Sequence, residues 1–284
     1  MFTIFRYAFA RYRGAILGWG LSLALLGLYL MSFYTTLAEQ QETLEQLLAS
    51  YPPELMAFFG DFNAIFTPEG YLSVEFFSFM PLVLGIFAVL AGSGLLASDE
   101  ENGTLDLVLA HPVSRAALFW GRLLAFAAAT LSILLVMWLG MVVGMRSSTL
   151  DIPAGKLALP FLSLLGVLLF FGAFALLLSL VLPSRRMAGM VSGLALLASY
   201  FITSLARISE ELETAARFSP LSYYQSGEAI LGLNGRWLAG LLAMATLFTL
   251  LAWWRFERRD IRVAGEGPLW GWRLPVLRRR KVAA

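Results

Sequence analysis

The chain has 284 residues, of which 59% are hydrophobic and only 14% charged. Soluble domains carry about 25% charged residues, so this is the composition of an integral membrane protein. Cysteine is absent and His111 is the single histidine, which excludes a disulfide framework, a thiolate metal site and a multi-histidine metal centre.

The first fourteen residues, MFTIFRYAFARYRG, place Phe2, Phe5, Phe9 and Tyr12 on one helical stripe with Arg6 and Arg13 off it. That pattern predicts an interfacial amphipathic helix on the inner leaflet, with a plain basic anchor as the alternative. The run 15–34 (GAILGWGLSLALLGLYLMSF) is longer than a signal core. No small-x-small cleavage site follows it before Thr35, so a retained span is expected. Residues 36–60 then carry Leu37, Leu44, Leu47, Leu48 and Tyr51 at helical spacing and end on Pro52-Pro53, which predicts a helical segment outside the membrane.

Five more apolar runs follow, at 76–97, 118–145, 157–182, 187–206 and 237–254. Each reaches the roughly 20 residues that a helix needs to cross a bilayer core, and none alternates with period two as a barrel strand would. The fold class expected is an all-α integral membrane protein with six transmembrane helices and an N-terminal interfacial helix. Two outer helical segments, 36–60 and 207–236, complete it, the second as a helical hairpin dipping into the interface. The pairs Gly14/Gly18, Gly140/Gly144 and Gly189/Gly193 permit close helix approach within one chain or between two.

The segment ASDEENGTLDLVLAHPVSRAALFWGR, 97–122, interrupts this pattern between the second and third spans. Ser98-x-x-Glu101 has capping-box spacing, and Asp99 and Glu100 suit a first helical turn. Gly103 offers a break, after which Thr104 can cap a helix of about eight residues whose Leu105, Val108 and Leu109 share a face. Pro112 stops that helix, and Ser114 is placed to cap the third span. The expected object is a short helix parallel to the membrane, showing an apolar knob framed by carboxylates. A solvated connector is the plainer reading, but a connector would avoid the exposed leucine stripe.

Orientation follows from charge. With both termini in the cytoplasm, 16 of the 21 basic residues lie inside, leaving Arg146, Lys156, Arg207, Arg217 and Arg236 outside. The outer stretch 35–75 has seven acidic residues and no basic one. Asp and Glu hardly influence topology, so the acidity of 98–106 has another reason. No phosphate-binding glycine loop occurs, and no charged side chain sits at the middle of a span. A transporter of this kind takes its energy from a partner.

The run Glu100, Glu101, Gly103, Thr104, Leu105, Leu109, Pro112, Val113, Ser114, Arg115 resembles the signature of the type 2 ABC-transporter permeases, with Arg122 where the family often has a lysine. FSPLSYY at 218–224 and FERRDI at 256–261 resemble further elements of that family, and the likeness covers most of the chain. The resemblance implies an exporter permease without ATPase activity of its own. Residues 98–113 would be a coupling helix docking two cytoplasmic ATP-binding subunits, which bind the ATP and Mg. It also implies a second permease copy, most simply a homodimer, in the plasma membrane of a prokaryote. Phe2, Phe5, Arg6 and Phe9 would form the family's elbow helix. Arg185 and Arg186, in the short turn between spans four and five, are either a second cytoplasmic contact or inside-positive anchors.

Residues 1–262 are expected to form the permease domain. Residues 263–284 form a basic tail whose Trp270 and Trp272 suit an anionic leaflet surface, with a disordered tail as the alternative. No nucleic acid, resident cofactor or metal is implied, and lipid is the surrounding partner. The charge-free spans favour an amphipathic or lipid-like cargo over a bare ion. Two other classes fit less well: a non-transporting scaffold for a cytoplasmic ATPase, and a stand-alone secondary carrier.

Overall fold

The computed structural model describes residues 1–40, 66–101, 103, 113–206 and 210–258. Among them every regular element is helical: α1 (Phe2–Arg11), α2 (Arg13–Glu39), α3 (Pro68–Leu72), a π-helical turn (Ser73–Phe77), α4 (Met80–Gly94), α5 (Ala97–Glu101), α6 (Arg115–Met145), α7 (Ala154–Val181), α8 (Arg185–Leu205), α9 (Glu213–Ala216) and α10 (Gly235–Arg258), with short 3-10 turns between α8 and α10. Five helices are long and apolar enough to cross a membrane, and the bent pair Pro68–Phe77 and Met80–Gly94 makes a sixth. All six apolar runs of the sequence are therefore helices.

Small residues set the packing, as expected where lipid removes the hydrophobic drive between helices. α2 crosses α6 through glycines on both sides. Gly20 and Gly27 face Val136 and Met141, while Gly140 and Gly144 face Ala24, Leu28 and Met31. The Gly140/Gly144 pair thus serves inside the chain, whereas Gly14, Gly18 and Gly193 meet nothing among the described residues. α4 crosses α7 so closely that a Cβ on Gly92 would stand 2.2 Å from the Gly172 carbonyl oxygen. α7 is the central pillar, with its flanks covered by α4, α8 and α10. α2, α8 and α10 turn large apolar side chains outward, among them Leu21, Leu25, Leu194 and Phe201.

The second span is broken rather than continuous, with a 41° bend. The cause is local. In a continuing helix the Phe77 carbonyl would accept from residue 81, but Pro81 has no N–H. The orphaned carbonyl accepts instead from the Tyr224 hydroxyl at 2.9 Å. Gly227 lies so close to Glu69 and Ser73 that a Cβ there would meet their backbone at 2.4 to 2.6 Å, and the Ser73 and Ser226 hydroxyls bond each other.

The stretch after α8 is not the helical hairpin that its sequence suggests. It is a string of single turns, Glu210–Leu212, Glu213–Ala216, Pro220–Tyr223 and Gly227–Ile230. Side-chain hydrogen bonds hold it in place of helical ladders. Thr203, Ser219 and Ser222 share hydroxyl contacts, Ser219 reaches the Ser199 carbonyl, and the Gln225 N–H donates to Ser163 on α7. The other outer segment, 36–60, lies largely outside the described residues.

Candidate functional site

Both flanks of the acidic segment are described. Asn102, Thr104, Leu105, Leu109 and Pro112 lie outside the described residues. α5 leaves α4 after a turn at Leu95 and Leu96 and ends at Glu101; Gly103, two residues on, has a φ of 66°, the helix-stopping conformation glycine adopts readily. On the far flank Ser114 caps α6 as its position suggests, its hydroxyl accepting from the Ala117 N–H at 3.1 Å. Val113 packs against the core beside it.

The expected capping box does not form. α5 already begins at Ala97, so Ser98 is inside the helix. Its hydroxyl accepts from the Arg185 guanidinium at 3.3 Å, and Glu101 accepts from the Arg185 backbone N–H at 2.8 Å. Ser98 and Glu101 therefore tie α5 to the first turn of α8. Arg186 beside them is exposed.

Asp99 is the hub of the site. It is buried, and it pairs with buried Arg122 of α6 and, at 3.4 Å, with Arg11 at the end of α1. Arg122 also donates to the Leu95 carbonyl at 2.8 Å. A buried carboxylate or guanidinium alone would be strongly unfavourable, so each makes the other tolerable. Glu100, half-buried, is the neighbour of this pair on α5.

Arg115 anchors the other flank. Its guanidinium donates to the carbonyls of Phe256 and Glu257 at 3.3 and 3.2 Å. These lie in the last turn of α10, where unpaired carbonyls and the helix dipole favour a cation. The two flanks of the acidic segment are thus fastened to α1, α6, α8 and α10 at one end of the bundle.

α1 lies on α6, its Ile4 against Gly121, with the rings of Phe2, Phe5 and Phe9 stacked in series at 6.4 and 5.8 Å. Phe2 and Arg6 are exposed, and Phe5 and Phe9 partly so. Among the described residues, the two flanks of the acidic segment are clamped to four helices.

The profile of the ABC-2 family transporter proteins matches residues 13–261. The chain belongs to that family. Among curated proteins it is 23% identical over 232 residues to the uncharacterized membrane protein YdbK of Bacillus subtilis (strain 168), covering 74% of this chain and 94% of that protein. As an ABC-2 family permease it is a multi-span membrane protein, and the matched region includes the whole acidic segment and all six spans.

Sequence reasoning missed the Asp99–Arg122 pair in this ABC-2 permease. One signal was available. A lone arginine within the first turns of an apolar span needs a carboxylate, and α5 supplies the nearest ones. The partnership of Ser98 and Glu101 with Arg185 had no local signal.

Proposed function

We propose that this ABC-2 permease is the membrane subunit of an ATP-driven exporter, docking two separate ATP-binding subunits through residues 98–113. The single observation that carries the reading is the double clamp on that segment. Asp99 and Glu101 fasten one flank to α1, α6 and α8, and Arg115 fastens the other to α10. A segment that merely connected two spans would not need four attachments, two of them through buried charge. A segment that receives work from another polypeptide does, because a loose lever dissipates the displacement before the spans feel it.

In this reading the basic end of the bundle faces the cytoplasm, with both termini. Leu105 and Leu109 fill a cleft in the ATP-binding subunit, and Glu100, Gly103, Thr104, Pro112, Val113 and Ser114 shape the segment that carries them. Arg186, exposed beside the clamp, and the Phe2–Phe9 face of α1 are secondary contacts. ATP binding brings the two ATP-binding subunits together and hydrolysis separates them; the different contacts in the two states bias the permease between two arrangements. The outward apolar faces of α2 and α8, with Gly14, Gly18 and Gly193 open beside them, suit a second copy of the chain, so that a homodimer encloses the path. Cargo of amphipathic or lipid-like character fits a path without midspan charge.

The experiment is co-purification of the full chain with its ATP-binding subunit, before and after Leu105→Asp combined with Leu109→Asp. The expected result is loss of the complex while the variant still inserts in the membrane. Unchanged co-purification overturns the docking role.

A further inference from the structure

Between α1, α4, α6 and α8 the bundle leaves a cavity of about 210 Å³. Its lining includes Arg11, Arg122 and Arg185, together with Tyr12, Gly94 and Ser98, and no acidic residue. Arg11 and Arg122 share the single carboxylate of Asp99, which lies behind the lining. Among the described residues Arg185 forms no ion pair; its guanidinium donates to the neutral hydroxyl of Ser98, while Glu101 takes only its backbone N–H. Three guanidinium groups thus line the cavity and no carboxylate does; among the described residues Asp99 and Glu101 stand beside it.

The space is built for these groups. A Cβ on Gly94 would come within 3.0 to 3.1 Å of the Arg185 guanidinium, so glycine at this point of α4 leaves the arginine its place. Burial raises the Tyr12 phenol above its ordinary pKa, against the opposing pull of Arg11, Arg122 and Arg185, so it stays a hydroxyl donor. The volume falls below the roughly 300 Å³ at which pockets for drug-sized ligands begin, and suits one small anionic group. Leu90, half-exposed on α4, also lines the cavity and gives it an apolar margin.

Arginine forks match the oxygens of a phosphate in pairs, which a point cation does not. We propose that this cavity binds a phosphate group, held by the guanidinium groups of Arg185 and Arg11 with Tyr12 and Ser98 as neutral partners, while Arg122 and Asp99 hold the floor. The shared chemistry is that of a phosphate ester or free phosphate. The headgroup of an anionic lipid and a soluble phosphate are its two sources. The site does not depend on the docking role of residues 98–113, and its test needs no ATP-binding subunit.

The test is native mass spectrometry of the full chain purified in detergent, titrated with phosphatidylglycerol and with phosphatidylcholine of the same acyl chains. Phosphatidylglycerol should bind more tightly than phosphatidylcholine. Arg185→Gln should weaken it by roughly tenfold to a hundredfold, the range for losing one hydrogen bond to a charged group. Arg11→Gln, at a half-exposed side chain whose replacement leaves the Asp99–Arg122 pair intact, should weaken it in the same direction. Arg186→Gln removes the same charge from the exposed neighbour and should leave it unchanged. Millimolar inorganic phosphate that displaces the lipid identifies a soluble phosphate as a ligand; lipid that stays bound in its presence identifies the headgroup. Equal binding of the two lipids with no inorganic phosphate bound, or equal losses from Arg185→Gln and Arg186→Gln, overturns the proposal.

Discussion

Arg122, buried near the start of α6, donates both to the carboxylate of Asp99 on α5 and to the Leu95 carbonyl just before that helix. The pair welds the acidic segment's first flank to the third span. Breaking a buried pair from one side leaves a stranded charge and costs about 3–5 kcal/mol, whereas replacing both partners by apolar residues is often neutral. Asp99→Ala and Arg122→Ala should therefore each lower the thermal midpoint of the detergent-purified protein markedly. Asp99→Leu combined with Arg122→Met should restore most of it. Single variants that melt with the parent would show that the pair contributes nothing. The Arg11 limb is half exposed, and Arg11→Gln should cost no more than about 1 kcal/mol.

The bend in the second span gives a second expectation. Tyr224 supplies the Phe77 carbonyl with the donor that Pro81 lacks. Tyr224→Phe should destabilise by about 1–3 kcal/mol, the cost of an unsatisfied buried acceptor. Pro81→Ala returns an N–H to the position four residues on. In that background the same tyrosine change should cost measurably less, giving a non-zero coupling in a double-mutant cycle. Strict additivity would separate the hydroxyl from the kink.

These two cases mark what sequence could and could not convey. Six spans, the cap at Ser114 and the break at Gly103 were legible because each depends on a run, a spacing or a residue type close in the chain. Pro81 sat inside the run 76–97, which is apolar enough to read as one span, and the bend shows only once a π-turn and a tyrosine from another segment meet there. Ser98 and Glu101 have the right spacing for a capping box, but Arg185, 84 residues from Glu101, is the better partner once the chain has folded. The 210–230 turns were not legible either, since single turns held by hydroxyls leave no periodicity behind.

Glycine positions separate internal packing from outward faces. Gly92→Ala would drive a methyl group into the Gly172 backbone, which cannot move aside as a side chain can, so α4 and α7 must separate. A clear fall in thermal midpoint with normal membrane insertion is expected. Gly18→Ala meets nothing among the described residues and should leave the monomer as stable or up to about 1 kcal/mol more so, through helix propensity. If Gly18→Ala alters dimer yield instead, α2 lies at the seam between copies.

Arg115 binds the last carbonyls of α10, so Arg115→Glu replaces a favourable cation by an anion at a helix C-terminus. If residues 98–113 dock the ATP-binding subunit as proposed, assembly should survive this change, which leaves Leu105 and Leu109 in place, but cargo-stimulated ATP turnover should drop severalfold. Equal losses in assembly and turnover would deny Arg115 a share in transmission.

The absence of native cysteine permits the most direct test of the docking claim, because Leu105→Cys introduces the chain's single thiol. In membranes containing the ATP-binding subunit, a short thiol-reactive photo-crosslinker at this position should join the two polypeptides, and a membrane-impermeant maleimide applied from outside should not label it. Outside labelling, or crosslinks confined to the chain's own helices, would contradict the account.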